Sequence, residues 1–93
     1  MGKKVRAHVL IVGRVQGVFF RMETKRTADG AGVYGWVKNK RDGTVEAVFE
    51  GDEESVGAVV KWCKKGPPIS IVNGVDIKWE DYTGEYGDFE ITF

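Results

Sequence analysis

The chain has 93 residues, 42% hydrophobic and 30% charged, with 14 Lys+Arg against 14 Asp+Glu and so no formal net charge. That length suits one domain over 1–93 with one core, and the composition is that of a folded, soluble chain rather than a disordered one. Zero net charge supplies no overall field toward nucleic acid, the lone Cys63 allows no internal disulfide, and no stretch approaches the ~20 apolar residues of a membrane span.

The first element is "VRAHVLIVG", partly alternating and β-branched, and read as a strand ended by Gly13. The basic start and short apolar run before Gly13 do not make a signal peptide, so a cytoplasmic location and a monomer are expected. "VQGVFF" connects this strand to a helix from Arg21 to about Gly30, with Phe20, Thr24, Ala28 and Ala31 on one face and Gly30 and Gly32 as its stop. Small residues dominate that face, which predicts close packing on a sheet.

"VYGWVKN" reads as a second strand, "KRDG" as a tight turn, and "TVEAVFEG" as a third strand. In the third strand Val45, Ala47 and Phe49 share one face, while Glu46 and Glu50 share the other. Asp52 is expected to cap a second helix whose stripe is Val56, Val59, Val60 and Cys63, ended by "KKGPP". "ISIVNGVDIKW" is a fourth strand with a bulge expected at Asn73-Gly74. A short last strand follows, with Phe89, Ile91 and Phe93 on one face. This order predicts a ferredoxin-like βαββαβ sandwich in the α+β class, with two helices on one face of a four- to five-stranded antiparallel sheet.

That topology has a consequence for the stretch "GRVQGVFFR". In a βαβ unit the first two strands run parallel and finish at one sheet edge, so the loop after Gly13 and the strand-ending Asn39 emerge together, ~10 Å apart across two strand spacings. The loop has almost no side chain able to act as acid, base or nucleophile. Its main-chain N–H groups, curled by Gly17 and followed by a helix N-terminus, are suited to an anion, and Arg21 adds a planar fork. On spacing alone, an anion site and a plain strand-to-helix connector both stay open.

"GRVQGVFFR", Ala28, "GVYGWVKN", "DGTVEAVFEG" and "KKGPP" together resemble the acylphosphatase family, in order and at matching spacing from Val5 to Phe93. The resemblance implies a ferredoxin-like fold and hydrolysis of the carboxyl-phosphate bond of acyl phosphates to carboxylate and inorganic phosphate, with no metal or cofactor. It also implies roles: Arg21 binds phosphate, Asn39 positions the attacking water, and the amides of Val15, Gln16, Gly17, Val18, Phe19 and Phe20 hold the phosphate. Two positions depart from the family pattern. Ala31 stands where leucine is usual, beside Gly30, and Phe19 stands where a small residue, often glycine, is common.

His8 reads as an ordinary strand histidine, Cys63 as a core residue, and Trp36 and Trp79 as packing residues. Arg14 reads as surface, with a second phosphate partner as the alternative, and the run from Lys38 to Arg41 as a solvated turn, with attraction of an anionic substrate as the alternative. Two rival readings use the same fold: a non-catalytic anion-binding module, including one that handles carbamoyl phosphate, and a nucleic-acid-binding domain. Neutral charge and the lack of an aromatic Gly-Phe motif on the third strand count against nucleic acid.

Overall fold

Alternation decides the first strand. In the computed structural model, which describes residues 3–93, β1 (Lys4–Arg14) buries Val5, Ala7, Val9 and Ile11 and leaves Arg6, His8 and Leu10 half-buried on its other face. The remaining elements are α1 (Phe20–Ala31), β2 (Tyr34–Asn39), β3 (Val45–Asp52), α2 (Glu53–Lys65), β4 (Ile71–Glu80) and β5 (Phe89–Thr92). The sheet order is β4-β1-β3-β2-β5, and both helices pack on the face carrying Val9, Ile11, Val45, Ala47 and Phe49. This is the ferredoxin-like α+β sandwich.

The sheet is mixed rather than wholly antiparallel. The pairs β1/β3, β1/β4 and β2/β3 are antiparallel, but β2 and β5 run parallel, with Gly35 opposite Phe89. β4 ends with Glu80 opposite Arg6, at the edge where β1 and β2 begin. The connection 81–88 stays at that edge, so β5 enters beside the start of β2 and must run with it. Thr83 and Gly84 hold the connection there by donating to the Glu50 carboxylate at 2.8 to 3.0 Å.

Helix α1 starts at Phe20, one residue before the expected Arg21, and continues through Gly30. Gly32, at φ 69°, ends it: the Gly32 N–H donates to Asp29 O at 3.3 Å and the Val33 N–H to Ala28 O at 2.9 Å. Phe20, Thr24 and Ala28 are buried, and the hydroxyl of Thr24 donates to Phe20 O at 2.7 Å. Helix α2 buries its whole stripe of Val56, Val59, Val60 and Cys63. Asp52 occupies the N-cap position but makes no side-chain capping bond, because its carboxylate pairs with Lys4 Nζ at 2.8 Å instead.

The bulge in β4 falls at Asn73, between Val12 opposite Gly74 and Gly13 opposite Val72. It coincides with a close approach: at Gly13, with φ 141°, an added Cβ would lie 2.1 Å from Ile71 O. Trp79 does not pack as expected and is 55% exposed: it stands opposite Ala7 on the helix-bearing face, but on β4, the edge strand. Trp36 is half-buried and donates from Nε1 to Tyr86 Oη at 3.2 Å.

Candidate functional site

Asn39 of β2 and Ile11 of β1 both pair with Val45 of β3, which fixes the two strand ends at one edge of the sheet. Beyond Ile11 the chain leaves the sheet at Arg14 and turns into α1 at Phe20. Val15 and Val18 anchor this connection in the core, at 1% and 7% exposure, so its backbone between them is held from below. Gly17 has φ 72°, with open space where a Cβ would stand, so backbone conformation rather than room favours glycine there.

Phe19 is the only non-glycine residue at positive φ among the described residues, at φ 63° and ψ 19°. It is the N-cap of α1, with no side-chain capping bond, and its carbonyl accepts from Glu23 N–H at 3.0 Å. The N–H groups of Phe20, Arg21 and Met22 therefore begin the helix without intrahelical acceptors, at its positive end.

A cleft of about 350 Å³ brings Val15, Gly17, Phe19, Phe20 and Arg21 together with Asn39, and Met22, Ile91 and Phe93 complete it. Arg21 is half-buried, forms no ion pair among the described residues, and holds its Cζ 5.2 Å from the centre of the Phe93 ring. The Oδ1 of Asn39 is buried and has no hydrogen-bond donor, the one such side-chain atom among the described residues. Buried acceptors are normally satisfied, and leaving one without a donor costs about 1–3 kcal/mol.

Gln16 and Val18 do not line the cleft. The Gln16 side chain turns toward the β2–β3 turn, donating from Nε2 to Lys40 O at 2.6 Å and Thr44 O at 2.9 Å. Val18 faces a neighbouring groove. Arg14 is exposed at the end of β1, opposite Ile71, and is not a cleft residue.

The other chemically capable side chains lie elsewhere. Cys63 is fully buried, and burial pushes its thiol up to about 12, far from a nucleophilic thiolate. His8 sits on the open sheet face between two carboxylates, with Nε2 2.6 Å from Glu46 and Nδ1 3.3 Å from Glu80. Those partners are 38 and 72 residues away in the chain, so local spacing around His8 gave no sign of them. Among the described residues no group of three or more His, Cys, Asp or Glu is arranged to hold a metal, and no helix is long and apolar enough to cross a membrane.

Comparison with known proteins bears on what a cleft so poor in acid and base groups does. The acylphosphatase family model matches residues 7–91. An acylphosphatase from Pelotomaculum thermopropionicum is 53% identical over 90 residues, covering 97% of this chain and 98% of that protein. Among solved structures, acylphosphatases from Bacillus subtilis and Coxiella burnetii superpose with TM-scores of 0.92 and 0.91, at 34% and 35% identity. Each match covers 96% of this chain, with 99% of the Bacillus chain and 93% of the Coxiella chain. Matched in sequence and in fold across nearly its whole length, the chain belongs to the acylphosphatase family.

Proposed function

We propose that this acylphosphatase hydrolyses acyl phosphates by in-line attack of a water that Asn39 positions on phosphorus held by Arg21 and the main-chain N–H groups of residues 15–20. The observation that carries this reading is the buried Oδ1 of Asn39, donorless among the described residues, in the same cleft as an arginine with no carboxylate partner among them. The terminal torsion of an asparagine is soft, so a modest carboxamide rotation presents that oxygen to a water in the cleft. Arg21, now resting on the Phe93 ring, offers its fork to two phosphoryl oxygens.

In the step, the water oxygen forms a bond to phosphorus as the bond from phosphorus to the acyl oxygen breaks. The electron pair leaves on the carboxylate, and the water's protons remain on the phosphate product as H2PO4−. A carboxylate is a good leaving group, so the reaction needs little acid catalysis. The cleft residues supply none; they supply position and fixed positive potential where the equatorial oxygens gather charge.

The test is turnover of acetyl phosphate and benzoyl phosphate by wild type, Arg21→Ala and Asn39→Ala. Both substitutions are expected to lower kcat/KM by about 10²-fold or more, the scale of removing one positioned donor or orienting group. Inhibition by inorganic phosphate should weaken in Arg21→Ala and persist in Asn39→Ala. Turnover that survives the loss of Asn39 removes the role given to it.

A further inference from the structure

Beside the cleft lies a second groove of about 480 Å³, between the start of α1, the end of α2 and the connection 66–69. Its walls are mostly apolar, from Val18, Phe19, Trp62, Pro67, Pro68 and Ile69. Phe19 lines both cavities, so the two adjoin at one exposed ring. Phe19 and Ile69 are 64% and 58% exposed, large apolar side chains left open on facing rims.

The geometry points to this groove as the subsite for the acyl group of the substrate, with apolar aryl acyl phosphates as the class it favours. This rests on the in-line mechanism above, which fixes where the leaving group goes. In an in-line displacement the acyl oxygen departs on the side of phosphorus opposite the attacking water. Asn39 lies on β2, two strands from β1 in one direction, whereas β4 lies next to β1 in the other. β4 starts with Ile71 opposite Arg14, at the same sheet edge as the loop. The groove leads into that start, so it lies on the flank away from Asn39, where the acyl group must point.

The groove is also built in advance. The N–H and hydroxyl of Ser70 both donate to Pro67 O, at 3.0 and 2.7 Å, and the Gly66 N–H donates to Trp62 O at 2.7 Å. Trp62 in turn packs on Phe20, with ring centres 5.5 Å apart, which ties the groove wall to the loop itself. A preformed apolar wall costs little ordering when it is filled. Glu23 and Lys65 stand at its rim with opposite charges, so it offers no net charge to an anionic acyl group.

The test compares kcat/KM for benzoyl phosphate and acetyl phosphate in wild type, Ile69→Ala and Ile69→Glu. Taking the ratio against wild type cancels the difference in leaving-group reactivity. The benzoyl-to-acetyl ratio is expected to fall about 3-fold in Ile69→Ala and about 10-fold or more in Ile69→Glu, the range for an apolar wall residue that is truncated or made polar. Inhibition by inorganic phosphate should stay within about twofold, since Ile69 is exposed and outside the cleft. An unchanged ratio in both variants overturns the subsite.

A second measurement needs no turnover: titration of tryptophan fluorescence with phenacylphosphonate and acetonylphosphonate, in which a methylene replaces the scissile oxygen. Tighter binding of the phenacyl compound, abolished in Ile69→Glu, supports the subsite; equal affinities overturn it. A wild type inert toward acetyl phosphate fails the hydrolytic reading, while these titrations still decide the groove.

Discussion

The side-chain amide of Gln16 lies 2.6 Å from the carbonyl oxygen of Lys40, the residue that follows Asn39. A second bond, to Thr44 O, makes this a brace between the loop and the β2–β3 turn. Both carbonyls have other donors: Lys40 O accepts from Gly43 N–H at 3.2 Å, and Thr44 O from Lys40 N–H at 2.9 Å. Removing Gln16 therefore leaves neither carbonyl orphaned, and its main effect falls on the distance between Asn39 and the phosphate loop.

Gln16→Ala is accordingly expected to cost only about 1 kcal/mol of stability, the net worth of an ordinary hydrogen bond. Its kcat should fall about tenfold or more, because small misplacements of a positioned group are costly in rate. KM and inhibition by phosphate should change little. A loss of stability with kcat unchanged would make Gln16 a structural residue only.

Much of this architecture was legible because it is encoded locally. The alternation of Val5, Ala7, Val9 and Ile11, the stripe of α2 and the Asn73-Gly74 pair each carry their structure within a few residues. Parallel β1 and β2 then bring Asn39 to the loop without any knowledge of side chains. What stayed hidden depends on distant partners. Glu50 shares the outer face with Glu46 as expected, yet is 2% exposed, because residues 81–88 fold over it. The parallel entry of β5, the carboxylates flanking His8 and the target of Gln16 have the same origin. Trp79 shows the converse, a large apolar residue left exposed on the edge strand.

The buried Glu50 makes the fold sensitive to acid. Burial opposes its ionisation, but the Thr83 N–H and hydroxyl, the Arg6 guanidinium at 3.1 Å and the Gly84 N–H outweigh that and hold it below its usual value of 4.5. Glu80 is likewise held low, by Arg6 and then His8. A carboxylate depressed in the folded state adds stability that is fully present above its unfolded value and is lost as pH falls through the folded one. Tm should therefore stay level from neutral pH down to about 5 and drop below about 4.5, where these groups take up protons. Glu50→Gln should be less stable at neutral pH by about 2–3 kcal/mol, with a shallower acid limb. Thermal melts across pH decide this, and parallel acid limbs in the two proteins would remove Glu50 as their source.

Phe19 carries two opposed effects, which one substitution separates. Its left-handed backbone costs a side-chain-bearing residue about 1–2 kcal/mol, and its ring is too exposed for packing to offset that in full. Phe19→Gly removes the strain and suits an N-cap, at the expense of a more flexible unfolded chain, so stability should rise by about 0.5–1 kcal/mol. The same change removes the wall shared by the cleft and the neighbouring groove. The variant should therefore melt at a higher temperature while losing preference for benzoyl over acetyl phosphate. Calorimetry and paired kinetics check the two halves independently. A variant that melts lower would mean that the ring packs more firmly than its exposure indicates, and one that keeps its aryl preference would mean that the ring is not part of the acyl subsite.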